Sequence, residues 1–147
     1  MADRPSSEHV AAWRALLTAQ AELTDRIDAA LRAEDVIPLR WYDALFSLYE
    51  APARRLRLAE MAKATLLSRS GLTRLVDRLE REGLLTREPV EHDARGAFAL
   101  LTADGLQALR RCWRVYGAEI EARVGRRLTV SEAKTLRALL ARLVEAA

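Results

Sequence analysis

The run SRSGLTRLVDRLERE, from Ser68 to Glu82, places Leu72, Leu75, Val76 and Leu79 at i, i+3, i+4 and i+7. That spacing lays four apolar side chains along one stripe of a helix and demands a core on that side. The opposite face carries Arg69, Ser70, Thr73, Arg74 and Asp77, with Arg78 at its edge. Ser68 is placed to cap the helix and Gly83 to stop it. Gly71 in the first turn costs about 1 kcal/mol of helix propensity against alanine, and it lets the backbone approach another molecule closely.

Other elements follow from similar punctuation. Ser6-Ser7-Glu8 offers a helix start, and Val10, Trp13, Leu17, Ile27 and Leu31 form a helical stripe running to about Ala33. Pro38 breaks the chain. A second helix is expected over Leu39–Glu50, ended by Ala51-Pro52-Ala53. Leu56-Arg57-Leu58 alternates, and Ala59–Thr65 is a short helix. After Gly83, strands are expected at Leu84–Glu88 and Ala97–Leu101, around a turn region Pro89–Gly96. Thr102 can cap a long helix from Ala103 to about Arg126. Thr129-Val130-Ser131-Glu132 is a capping box, opening a helix with Leu136, Leu139, Leu140, Leu143 and Val144 on one face.

The fold class expected is mainly α (α+β): a winged helix-turn-helix with a small β-hairpin wing, plus N- and C-terminal helices. The 147 residues form one subunit, with the winged lobe over residues 38–102 and helical regions over residues 6–33 and 103–147. One small winged lobe cannot cover the long apolar stripes of the outer helices. Excess apolar helix surface points to a second copy, hence a dimerisation region.

A net charge of +3 is compatible with a polyanion partner without requiring one. Lys63 and Lys134 are the two lysines, so arginine supplies nearly all the positive charge. Position is more informative. Backbone N–H groups at a helix start favour phosphate. Serine and threonine reach phosphates or base edges, and arginine forks onto guanine O6 and N7 in the major groove. Ser68–Glu82 therefore suits double-stranded DNA. The pairs Asp77–Arg81 and Arg78–Glu82, four residues apart and opposite in charge, suit an ordinary solvated face as well. In the turn after the first wing strand, Arg95 suits a narrow minor groove. Asp93 can hold it there by a charge-assisted hydrogen bond.

The segment LRLAEMAKATLLSRSGLTRLVDRLEREGLLTREPVEHDARGAFALLTADG, Leu56–Gly105, resembles the DNA-binding section of the MarR family of bacterial transcription regulators. The motifs are SRSGLTRLVDRLE, GLL, Asp-x-Arg and LT-x-x-G. The resemblance implies a homodimer held by its terminal helices, with recognition helices in successive major grooves and wings on the minor groove. It implies helix contacts by Ser68, Arg69, Ser70, Thr73, Arg74 and Arg78, and wing contacts by Asp93 and Arg95. It also implies a ligand-responsive repressor on a pseudo-palindromic operator, with a small aromatic or phenolic effector bound between the dimer region and the DNA-binding lobe. Candidate lining residues are Trp13, Arg40, Trp41, Tyr42, Leu45, Leu109 and Trp113, all of which suit plain core packing too, except Arg40, which suits an anionic ligand, a phosphate or bare solvent. Two positions depart from the family pattern. Leu66 stands where members often have glycine, and Gly96 where many have a second arginine.

The remaining chemistry is sparse. Cys112 follows Arg110 and Arg111, which favour a thiolate, but its mid-helix place favours a packed thiol. His9, His92 and Cys112 have no metal-ligand spacing, and Glu91-His92-Asp93 suits a turn. No cofactor or metal is expected. There is no nucleophile–base pair or phosphate loop, so an enzyme is not expected. No run is apolar enough for a membrane span or signal peptide, and a cytoplasmic protein is expected. The competing function is a winged-helix interaction module without sequence-specific DNA binding, for which the recognition-face arginines would have no use.

Overall fold

The computed structural model describes residues 3–65 and 67–145, and of residues 93–95 the backbone alone. Helix α1 (Ser7–Ala33) starts where Ser6 Oγ accepts the His9 N–H, and its buried residues, Ile27 and Leu31, lie toward its end. Helix α2 (Leu39–Glu50) begins at Pro38, which has no capping side chain. Asp28 of α1 takes that role, its Oδ1 accepting the Leu39 N–H at 2.9 Å. A 3₁₀ turn, Pro52–Arg54, leads into β1 (Arg55–Arg57), α3 (Leu58–Thr65) and α4 (Arg69–Arg81). Then come β2 (Leu85–Val90), β3 (Asp93–Leu101), α5 (Ala103–Ile120) and α6 (Val130–Val144).

The helices and the sheet share one core. Leu45 and Leu48 of α2, Met61 of α3, Val76 and Leu79 of α4, Leu85 of β2 and Cys112 of α5 are fully buried together. The hairpin expected from the sequence is part of a three-stranded antiparallel sheet of order β1-β3-β2. The alternating piece before α3 supplies the third strand, with Arg55 opposite Leu100 and Arg57 opposite Phe98. The wing strands run further than expected, leaving Glu91 and His92 as the turn. Pro89 is tolerated because β2 is an edge strand. Between Pro89 and Val90 the register jumps from Ala97 to Asp93, so residues 94–96 are extra on β3 and bend the wing tip.

Gly83 does end α4, at φ +74°, in the left-handed region that glycine enters without strain. The Thr102 hydroxyl then joins three elements. It donates to the Gly83 carbonyl at 2.7 Å and accepts the Gly105 N–H at 3.0 Å. A Cβ at Gly105 would collide with the carbonyl oxygen of Leu84, which is the packing reason for glycine in LT-x-x-G. The α-helical part of α5 stops at Ile120, short of Arg126. A π-helical turn over Glu121–Gly125 follows, in which the Arg126 N–H reaches the Glu121 carbonyl at 2.9 Å.

The capping box of α6 forms as expected, with Thr129 and Glu132 exchanging two hydrogen bonds. Yet α6 buries no residue. Leu136, Leu139 and Leu143 are 45%, 48% and 68% exposed, and Val10, Trp13 and Leu17 of α1 are exposed as well. No helix among the described residues is long and apolar enough to cross a membrane. Leu66 lies outside the described residues.

Candidate nucleic-acid interface and the neighbouring clefts

Helix α4 separates its two faces completely. Leu72, Leu75, Val76 and Leu79 are buried, whereas Arg69, Ser70, Thr73, Arg74 and Arg78 are exposed. Ser68 serves first as the N-cap, its Oγ accepting the Gly71 N–H at 3.1 Å with Ser70 Oγ 3.3 Å away. Thr73 Oγ1 donates to the Arg69 carbonyl at 2.9 Å, which leaves its lone pairs for a further partner.

The charge pairs differ from the expected ones. Asp77 and Glu80 both bind Arg87 of β2, each at 2.9 Å. Among the described residues, Arg81 reaches only the Asp77 backbone carbonyl, at 3.4 Å. A residue on the wing offers a forked guanidinium, which two carboxylates one turn apart can share. Hydrogen bonds from Arg87 hold the Glu80 carboxyl below its ordinary range. Both acidic groups in the middle of α4 are thus engaged with the wing. Among the described residues, Arg69, Arg74 and Arg78 have no ion-pair partner. A cationic face without internal neutralisation can attract phosphate. Asp93 and Arg95 stand on the first residues of β3, just past the Glu91–His92 turn, and their side chains lie outside the described residues.

The seven candidate lining residues do not converge on one cleft. Tyr42, Leu109 and Trp113 face a cleft of about 580 Å³ between α2 and α5, together with Phe46, Tyr49, Leu106, Arg110 and Arg114. Arg40 and Trp41 face a second cleft, of about 340 Å³, with Arg74 and Arg78 of α4. Leu45 is sealed in the core, and Trp13 lies exposed on α1. Phe46 and Tyr49 were legible in principle, since they stand at i+4 and i+7 from Tyr42 on one helix face. Their rings stack in sequence, Tyr42 to Phe46 at 5.6 Å and Phe46 to Tyr49 at 5.9 Å, while Trp113 lies 6.3 Å from Tyr42. Burial first, with Cys112 nearby, pushes the Tyr42 phenol up to about 12, so it stays neutral. The first cleft is therefore aromatic and apolar, with Arg110 and Arg114 supplying positive charge.

Cys112 is buried, with its thiol 3.6 Å from the Ile37 carbonyl. Burial, then Asp28 and Asp43, push it up to about 11. Arg110 and Arg111 do not offset this, because both side chains are on the exposed part of α5. No group of three or more His, Cys, Asp or Glu side chains among the described residues is placed to hold a metal ion.

Residues 37–96 match the profile of the MarR family. The chain is 34% identical to a MarR family transcriptional regulator of Streptomyces coelicolor whose crystal structure is a complex with DNA. That alignment covers 97% of this chain and 90% of the other, with a TM-score of 0.88. AbsC, another MarR family regulator of the same organism, aligns at 28% identity over 96% of this chain and 95% of its own, with a TM-score of 0.84. The multiple antibiotic resistance protein MarR of Salmonella typhimurium is 32% identical over 85 residues, which span 58% of this chain and 59% of that relative.

Proposed function

Because the chain belongs to the MarR family of transcriptional regulators, we propose that it is a sequence-specific double-stranded-DNA-binding repressor. It acts as a homodimer on a pseudo-palindromic operator with half-sites about one helical turn apart. The observation that carries this reading is the exposed face of α4, where Arg69, Arg74 and Arg78 have no ion-pair partner among the described residues and lie beside a β wing. Arg69 and Arg74 read or grip the major groove, and Arg95 enters the flanking minor groove. The DNA complex of the Streptomyces coelicolor relative supports the partner.

The exposed leucines of α6 and the exposed Val10, Trp13 and Leu17 of α1 support the homodimer, since a second copy offers the same apolar faces in return. The cleft between α2 and α5 supports a small aromatic effector, and the arginines beside it favour one carrying a carboxylate or phenolate. An effector acts through different affinity for two spacings of the recognition helices. The protein works in the cytoplasm and performs no catalysis.

The test is selection of sites from random duplex DNA, followed by fluorescence anisotropy on the selected site and on random DNA across salt concentrations. An enriched inverted repeat bound far more tightly than random DNA supports the regulator. Weak, steeply salt-dependent binding without enrichment overturns it and favours an interaction module.

A further inference from the structure

A third cleft lies between the two elements assigned to the grooves. It is about 480 Å³ in volume and is bounded by Arg57 at the end of β1, Arg69 and Thr73 of α4, and Gly96 and Ala97 of β3. If α4 occupies a major groove and the wing the adjacent minor groove, one sugar–phosphate strand separates them. That strand must cross this cleft. Arg57 is absent from the contacts implied by the recognition helix or the wing tip, yet its position is set by the sheet. It stands opposite Phe98, with its guanidinium 5.7 Å from the Phe98 ring centroid, and Arg55 covers the same ring at 4.4 Å. An aromatic face orients a guanidinium without neutralising it. Among the described residues, neither Arg57 nor Arg69 has an ion-pair partner, and both are exposed.

We propose that Arg57 and Arg69 form a seat for the DNA phosphate that lies between the recognition-helix groove and the wing groove. This rests on the DNA-binding reading above and adds a contact from a strand that the sequence motifs do not include. The seat carries no base information. It sets how far the wing can tilt from α4 when both are on the duplex.

The test is Arg57→Ala, titrated against the selected operator and against random duplex DNA from low to high salt, with Arg57→Lys beside it. The expected result is a log–log salt slope shallower by about 1 for Arg57→Ala. Affinity should fall about eightfold at 0.1 M salt, the factor one contact supplies at a slope near −0.9. The loss should be equal on both DNAs, with most of the slope restored by lysine. Phosphate-ethylation interference should disappear at one position between the half-site and its flank. An unchanged slope and footprint, with wild type still selecting its operator, overturns the seat and leaves the regulator standing. Failure of wild type itself to select a site overturns the reading beneath it. Equal thermal unfolding of the variant and wild type keeps a folding defect from imitating the result.

Discussion

Helices α4 and α6 carry the same kind of pattern and meet opposite fates. Each opens with a hydroxyl cap, Ser68 or Thr129, and each has a leucine-rich stripe. Helix α4 buries Leu72, Leu75, Val76 and Leu79 against its own subunit, whereas α6 buries none of its residues. An amphipathic stripe thus specifies that a helix needs a partner surface and leaves open which molecule provides it. The comparison also separates the roles of the polar faces. On α4 the outer face is free because the core fixes the inner one, so its arginines are held at set positions. On α6 the apolar side itself is the free one.

The sharpest way to break this comparison is to remove a leucine from each helix. Leu79→Ala in the fully buried position should cost about 2–5 kcal/mol, read from urea unfolding. Leu139→Ala should shift the stability of a lone subunit by no more than about 0.5 kcal/mol. Leu139→Asp should instead move the protein from dimer to monomer in sedimentation equilibrium. A dimer unchanged by that charge would show that α6 lies outside the interface.

Gly105→Ala probes the junction from which α5 leaves the winged lobe. The added methyl meets the Leu84 carbonyl, so a loss of roughly 1–3 kcal/mol is expected in thermal unfolding. On the outer face of α4, Arg74→Ala should weaken operator binding by about 1–3 kcal/mol if it reads a base, without lowering the melting temperature. An equal loss on random DNA would reassign it to a phosphate.

The smallest effect belongs to the tie between α4 and the wing. Glu80→Gln should cost at most about 1 kcal/mol, because the pair with Arg87 is partly exposed. The folded-state carboxyl is held below its ordinary value by Arg87, so its contribution is present at neutral pH. It fades as pH falls through that lowered value. The gap between wild type and variant in urea unfolding should therefore close in acid. A gap that widened there would mean that Glu80 acts through something other than its charge.

The helices were legible because their signals are local. Periodicity, the Ser68 and Thr102 caps and the Thr129–Glu132 box each involve residues within a few positions of one another. The exposed α4 face was legible for the same reason. The Arg87 fork was not, because Asp77 and Glu80 had nearer arginines in sequence, and only the fold brings β2 alongside α4. The aromatic cleft was half legible. Tyr42, Leu109 and Trp113 do meet there, but Arg40 and Trp41 point to α4, since adjacent positions on a helix face different ways.

By itself, the sequence determined which segments are helices, where they start, which side of α4 must be buried and that its other side is cationic. These follow from dihedral preference, capping and spacing within one element. Tertiary structure alone decided that Leu56 and its flanking arginines join the wing as a third strand. It also decided that Asp28 caps α2 from another helix, that Cys112 is sealed and that α6 is left uncovered. Each of these is a contact between residues far apart in the chain, set by how the whole core closes rather than by any local pattern.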